Sequence, residues 1–369
     1  FRSIQSIHDE VVSRTRESLH YLDVSIFNHI LSGRIPMKRL FTFILTLTMT
    51  FSFCVNSLAA AATTTTATET TAATAARETS ADTSNTQATG ASYGTSKLSG
   101  APDIVAESAV VMDAGTGTVL YGKEASTKRY PASITKVMTA LLAVENCNMS
   151  DIITYSNAAV NGIEAGSSTA GINVGAKLTV EDSLYALMLV SANEAAAAIA
   201  EHISGSTTEF AKLMTKRAKE LGCKNTQFKN PHGLPDEEHY TTAYDMGLIL
   251  KEAMKHPEFR KIAGTISYTL KKSDSLTDTL ELWNHAKILR QNSDYYYEYA
   301  KGAKTGFTQV ALNTLVTYAR KDNVELICVI LKDHGADKSY TDTANLFKWA
   351  FNQVKAVTPL TNFSLKTAM

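Results

Sequence analysis

No two cysteines in this chain stand at the C-x-x-C spacing of a zinc ribbon or a thioredoxin-like site, so neither chemistry is expected. The four cysteines are Cys54, Cys147, Cys223 and Cys328. Cys54 falls in a segment expected to be removed, which leaves an odd number. Buried, inert thiols are the expectation, given the apolar neighbours of Cys147 and Cys328. An excess of either charge is also missing: 36 Lys+Arg face 36 Asp+Glu over 369 residues. That balance makes no electrostatic case for nucleic acid. No internal repeat is visible. The apolar run at 40–55 is short of the roughly 20 residues that a membrane span needs. What the chain does have is 44% hydrophobic residues, enough for a substantial core.

Residues 1–36 mix charged and apolar side chains without a period. Met37-Lys38-Arg39 then opens a basic stretch, 40–55 is apolar, and Asn56-Ser57-Leu58-Ala59-Ala60-Ala61 supplies small residues for cleavage. Residues 37–59 therefore read as a secretory signal peptide that starts at Met37, with 1–36 outside the mature protein. Phe53 precedes Cys54 where a lipoprotein leader wants a small residue, so no lipid anchor is expected. Contact with a membrane is expected only through the leader, if it stays uncleaved. An exported, extracytoplasmic protein follows, held in the cell envelope or secreted. Residues 60–101 are rich in Ala, Thr and Ser and read as a disordered linker. The folded domain is expected at 102–355, with a short tail at 356–369.

Inside that domain, strand-like runs at 108–113 and 118–121 flank Ala114-Gly115-Thr116-Gly117, a hairpin signal. The run after Ser133 (Val137, Met138, Ala140, Leu141, Leu142, Ala143, Val144) reads as a helix buried on nearly every side, begun near Pro131. Residues 151–175 read as irregular loops. Thr179 with Asp182, Ser206 with Glu209, and Thr242 with Asp245 begin further helices, the last ending by Pro257. Residues 267–282 read as a strand or hairpin and Tyr295 to Tyr299 as an aromatic cluster. Strands are expected at 300–305, 312–319 and 324–331, and an amphipathic helix at 341–354. The fold class expected is α/β (α+β): an antiparallel sheet of about five strands flanked by helices, with an inserted, mostly helical subdomain.

Ser133 and Lys136 lie three residues apart, so a helix places them on one face. A hydroxyl, an amine in reach of it and a helix N-terminus suggest an activated nucleophile. Ser191-Ala192-Asn193 and Lys304-Thr305-Gly306 follow in order. Each alone has a plain explanation: a helix cap for Ser133, an inter-helix turn for 191–193, an edge-strand charge for Lys304. Three ordered S-x-x-K, S-x-N and K-T-G motifs, each in a matching context, outweigh those readings. Lys136 can serve as a base only if neutral, and burial together with the charge of Lys304 would lower its pKa. Ser191 can relay a proton toward a leaving nitrogen, and Asn193 can bond a substrate amide. Lys304 and Thr305 suit a substrate carboxylate. Gly306 would let an extended peptide approach the strand backbone. The backbone N–H groups of Ser133 and Phe307 would hold an oxyanion. His232 is expected to organise its loop rather than act as a base.

With these motifs the chain resembles the D-alanyl-D-alanine carboxypeptidases among the low-molecular-mass penicillin-binding proteins, over residues 103–351. The likeness rests on Asp113 with Gly117, Pro131-Ala132-Ser133-Ile134-Thr135-Lys136, Leu189-Val190-Ser191-Ala192-Asn193-Glu194-Ala195-Ala196, Asn230-Pro231-His232-Gly233-Leu234 and Lys301-Gly302-Ala303-Lys304-Thr305-Gly306-Phe307-Thr308. It implies a D,D-peptidase catalytic domain at 102–355. Ser133 would be the acyl-enzyme nucleophile, Lys136 its base, Ser191 and Asn193 the second catalytic element. Lys304 and Thr305 would bind the terminal carboxylate of a peptidoglycan stem pentapeptide, whose last D-alanine is removed. β-Lactams would acylate Ser133, and neither metal nor organic cofactor is implied. The chain departs from the family at Leu312, where glycine is usual. It departs again at Lys338-Ser339-Tyr340-Thr341-Asp342, which lacks the arginine often found before the last helix. Rival readings are a D,D-endopeptidase, a β-lactamase and a non-catalytic β-lactam or muropeptide sensor. No Glu-x-x-Leu-Asn loop lies between the second and third motifs, which argues against the β-lactamase.

Overall fold

Alternation along two neighbouring strands sets up the architecture. In β2 (Ser108–Asp113) and β10 (Val324–Asp333), Ala109, Val111, Leu326, Cys328 and Ile330 belong to one hydrophobic cluster. Val110, Met112, Ile327, Val329 and Leu331 belong to another. Side chains of a strand point alternately to its two faces, so a sheet with both faces apolar must be covered on both. In the computed structural model of this chain, the residues described are 96–97, 99–271 and 278–354. The expected segments 1–36, 37–59 and 356–369 lie outside them, as does the linker at 60–101 apart from 96–97 and 99–101.

The sheet is antiparallel throughout, in the order β1 (Ser96–Lys97), β3 (Val119–Lys123), β2, β10, β9 (Leu312–Lys321), β8 (Ala300–Thr308). Five strands of five residues or more carry it and the two-residue β1 extends one edge, as the sequence led us to expect. The last helix, α8 (Ala336–Gln353), covers one face with Leu346, Phe347 and Ala350, none of them exposed. The other face receives the segment between β3 and β8, which is mostly helical. At its centre is α1 (Lys136–Asn146), whose first eight residues are all buried. Truncating a side chain there, such as Leu141, would cost about 2–5 kcal/mol.

Helix starts follow the caps read from the sequence. Thr179, Ser206 and Thr242 accept hydrogen bonds from the amides of Asp182, Glu209 and Asp245 at 3.0, 3.1 and 3.0 Å. They open α3 (Val180–Leu189), α5 (Thr207–Glu220) and α6 (Ala243–Ala253), each cap being worth about 1 kcal/mol. Several elements differ from expectation. Ser133 lies in a 3-10 turn (Ala132–Thr135), and the α-helix begins only at Lys136. The glycine-rich stretch at 151–175 holds strand β4 (Ile152–Thr154) and a short helix, α2 (Asn157–Asn161). The strand pairs with β5 (Lys177–Thr179). Pro257 does not merely follow a helix; it opens another, α7 (Pro257–Gly264), where its missing N–H costs nothing. The hairpin at 267–282 is β6 (Ser267–Leu270) with β7 (Leu280–Trp283). Cys223 and Cys328 are buried, and burial pushes both thiols up, whereas Cys147 is only half-buried.

Candidate active site

Three elements meet at Ser133. The 3-10 turn carries it, and α1 starts with Lys136 one turn below. Residues 190–192 break the chain between α3 and α4 (Asn193–Ser204), bringing Ser191 and Asn193 in from the side. Strand β8 passes in front with Lys304, Thr305, Gly306 and Phe307. Two of the junctions use left-handed backbone at residues other than glycine: Ala132 at φ 51° and Ser191 at φ 63°. Such conformations cost on the order of 1–3 kcal/mol and persist where the surroundings hold them.

The amine of Lys136 is buried and reaches three oxygens: Ser133 Oγ at 3.1 Å, Asn193 Oδ1 at 2.7 Å and the His232 carbonyl at 2.8 Å. Burial lowers its pKa well below the usual lysine value, the charge of Lys304 lowers it further, and Glu194 opposes them. A neutral amine has two protons and one lone pair. The Asn193 and His232 oxygens accept the two protons, which leaves the lone pair aimed at the Ser133 hydroxyl. Asn193 therefore orients the lysine in this structure, a role the sequence did not suggest for it.

Lys304 is also buried, and burial alone brings its pKa down to about 7. It donates to Ser191 Oγ at 3.1 Å and to the Thr305 carbonyl at 2.8 Å. A cleft of about 350 Å³ opens above this group, lined by Ser133, Ser191, Asn193, Thr305, Gly306 and Phe307 among others. Neither Lys136 nor Lys304 lines it; both are buried behind the residues that do. Phe307 stands at the rim, 60% exposed.

Gly306 earns a different explanation from the expected one. A Cβ there would meet the backbone nitrogens of Ser133 at 2.7 Å and Ile134 at 3.0 Å, and the Thr314 hydroxyl. The missing side chain admits the turn that carries Ser133 against β8, which sets the Ser133 amide beside the Gly306-Phe307 backbone. The 230–234 loop packs on the same turn. Gly233, at φ 92°, has no room for a Cβ beside the Ala132 carbonyl. Thr139 Oγ1 donates to the Pro231 carbonyl at 2.6 Å. His232 Nδ1 accepts from the Leu234 amide at 3.2 Å, and burial lowers its pKa to about 3. It organises its loop and offers Lys136 a carbonyl, not a ring.

The sequence reading missed several contributors. Glu194 is buried, and its Oε1 accepts from Thr169 Oγ1 and the Ala170 amide at 2.7 Å and from the Gly171 amide at 3.1 Å. This pins the loop that brings Ser167 and Ser168 to the cleft wall. Its place beside Asn193 in the motif was the available signal. His285, Ser339 and Tyr340 also line the cleft. In the segment that lacks arginine, Ser339 and Tyr340 reach the cleft lining and Lys338 does not. No Asp or Glu is among the lining residues. The group Glu145, Glu252 and His256 has metal-like spacing, but the Arg217 guanidinium occupies it, bound to Glu145 at 2.6 Å.

Comparison with known proteins identifies a family. The family model described as D-alanyl-D-alanine carboxypeptidase matches residues 95–335. The chain is similar to D-alanyl-D-alanine carboxypeptidase DacF of Bacillus subtilis, 37% identical over 255 residues, covering 67% of this chain and 62% of that one. It is also similar to a D-alanyl-D-alanine carboxypeptidase of Streptomyces sp. K15, 32% identical over 262 residues, covering 68% and 88%. Against DacA of Haemophilus influenzae the match spans 63% of the relative's length, so the chain covers under two thirds of some curated relatives. Among solved structures, the Streptomyces K15 DD-transpeptidase superposes with a TM-score of 0.63 at 31% identity, covering 68% of this chain and 99% of that one. A Mycobacterium tuberculosis D-alanyl-D-alanine carboxypeptidase gives 0.63 at 26% identity, covering 72% and 97%. The chain belongs to the D-alanyl-D-alanine carboxypeptidase family.

Proposed function

We propose that this chain is a serine D-alanyl-D-alanine carboxypeptidase that removes the last D-alanine from peptidoglycan stem pentapeptides, and that β-lactams acylate the same serine. The observation that carries this reading is the Lys136 amine, desolvated, 3.1 Å from Ser133 Oγ, with its two protons taken by fixed acceptors. Lys136 takes the hydroxyl proton as Ser133 Oγ attacks the scissile carbonyl carbon. The backbone N–H groups of Ser133 and Phe307 hold the oxyanion. The C–N bond then breaks, and Ser191 passes a proton from the lysine pair to the leaving D-alanine nitrogen. Water, deprotonated by Lys136, releases the shortened peptide and restores the serine. Thr305 bonds the terminal carboxylate at the cleft surface while Lys304 supplies charge from below. The absence of a carboxylate from the cleft lining disfavours fast deacylation of a penicilloyl-enzyme. The activity requires export to the cell wall, in keeping with the leader-like 37–59. Among the described residues, no helix is long and apolar enough to cross a membrane.

The test is incubation of the purified chain with a fluorescent penicillin and with diacetyl-Lys-D-Ala-D-Ala. Covalent labelling and D-alanine release are expected, both lost in Ser133→Ala. Labelling without release would make the protein a sensor, and rapid loss of label a β-lactamase. One comparison favours a second reading, transfer of the acyl group to an amine, because the solved K15 relative is titled a DD-transpeptidase. Adding glycine as acceptor separates the two by product.

A further inference from the structure

On the carboxypeptidase reading, Thr305 takes the terminal carboxylate and the Phe307 amide faces the scissile carbonyl. The substrate then lies along β8, and its stem leads past Phe307 toward Thr308. Just beyond Thr308 is the turn 309–311 that joins β8 to β9. The Ala311 amide donates to Thr308 Oγ1 at 3.1 Å, which holds the turn against the end of the strand. Val310 and Ala311 line a second pocket, of about 410 Å³, together with Tyr130. Its lining shares no residue with the cleft that holds Ser133. Val310, between the two, is 48% exposed.

The rest of this pocket is charged: Lys128, Arg129 and Lys332 line it with Glu237. Arg129 and Lys332 share one carboxylate, that of Glu107, at 3.1 and 3.2 Å. Arg129 Nε also donates to Ser108 Oγ at 3.1 Å, and its amide to the Thr241 carbonyl at 2.8 Å, so the guanidinium is in place before a ligand arrives. Lys128 makes no ion pair with a described residue, and its amine lies 4.1 Å from the Tyr240 ring centre. Of the neighbouring acids, Glu238 is bound to Lys229 at 2.7 Å, and neither it nor Asp236 lines the pocket. With Glu107 and Glu237 both counted, the cations still outnumber the anions.

We propose that this pocket binds a carboxylate of the stem peptide upstream of the D-alanine pair. With the penultimate D-alanine beside Phe307, each residue further out advances ~3.3 Å. The next two therefore lie beside Thr308 to Val310. One is the third stem residue, which in some walls is diaminopimelate with a carboxylate at the end of its side chain. The other is the γ-linked glutamate, with its free α-carboxylate. Amine and guanidinium donors give either group charge-assisted hydrogen bonds. The proposal rests on the carboxypeptidase reading, and the assay separates the two.

The full-length protein is given L-Ala-γ-D-Glu-X-D-Ala-D-Ala, with X lysine or meso-diaminopimelate, and D-alanine release is followed. Each peptide is compared with its counterpart amidated at the glutamate α-carboxylate or at the diaminopimelate side-chain carboxylate. For one of the two carboxylates, the free form should show kcat/KM about 5-fold above the amidated form, mostly through KM. The carboxylate whose amidation matters is the occupant. Lys128→Gln and Lys332→Gln bring that ratio toward one, and Glu237→Gln raises it. Each ratio is taken within one protein, so a general loss of activity cancels. Ratios near one at both carboxylates in the wild type, or a wild-type ratio kept in both lysine variants, overturn the subsite while leaving the peptidase intact. No release from any peptide fails the peptidase reading instead, and the same ratios are then read from equilibrium binding by calorimetry.

Discussion

Replacing Gly306 with alanine tests whether strand β8 holds the Ser133 turn in place. The added Cβ would sit 2.7 Å from the Ser133 nitrogen and 3.0 Å from the Ile134 nitrogen, where ordinary contact begins near 3.4 Å. Neither neighbour can swing aside, since both are backbone. The third, the Thr314 hydroxyl, is tied to the Pro131 carbonyl at 2.8 Å. Overpacking of this kind costs about 1–3 kcal/mol. At about 2–4 °C per kcal/mol for a domain of this size, Tm should fall by roughly 2–12 °C. The turn must retreat from β8, and a 1 Å misplacement can cost about 10²-fold in rate. Acylation by a fluorescent penicillin, followed by stopped flow at 25 °C where the variant is still folded, should slow by about that factor. Gly302→Ala on the same strand is the control. Its Cβ would meet Ala263 Cβ at 3.4 Å, an ordinary contact, so both Tm and rate should stay near wild type. A Gly306→Ala protein that acylates at the wild-type rate, or a Gly302→Ala protein damaged equally, would refute the packing argument.

The sheet was legible because its strands are short apolar runs bounded by turn residues such as Ala114-Gly115-Thr116-Gly117, and the helix starts because Thr179, Ser206 and Thr242 each place an acceptor where free amides need one. Elements that depend on partners were not. β4 and β5 are three residues each and exist by pairing with one another, and α7 begins at a proline that reads as a stop. The site was legible as motifs because the chemistry demands particular residue types. Its geometry was hidden wherever the backbone does the work. The carbonyl of His232, the room vacated by Gly306 and the left-handed turns at Ala132 and Ser191 carry no side-chain signature. Asn193 was readable as a polar group in the cleft but not as the acceptor that aims a lysine, since that depends on where α1 and α4 cross.

Opposite shifts are expected when the two charges acting on Lys136 are removed. In the proposed mechanism its neutral form accepts the serine proton, so acylation should rise with pH through its pKa. Lys304→Gln should move that midpoint up and Glu194→Gln should move it down. Shifts of the same sign in the pH–rate profiles would contradict the arrangement. Burial lowers the pKa of His239 to about 4 and of His232 to about 3, against roughly 6.5 when unfolded. The unfolded chain takes up these protons first. Their contribution to stability is intact above about pH 6.5 and is lost as pH falls toward 4 and below. His239→Gln should flatten the fall of Tm between pH 6.5 and 4, and an equal slope in variant and wild type would count against this. Leu312 gives the sharpest sign test. It opens β9 at φ 55°, opposite Thr308 across the β8–β9 turn. A side chain in that region costs roughly 1–2 kcal/mol, a penalty that alanine keeps and glycine escapes. Elsewhere in a strand glycine is about 0.5–1 kcal/mol worse than alanine. Here the order should reverse, with Leu312→Gly melting at or above Leu312→Ala. Both variants lose the same partly buried side chain, so the difference between them isolates the backbone. An alanine variant that melts several degrees above the glycine variant would show that Leu312 is not held in the left-handed region.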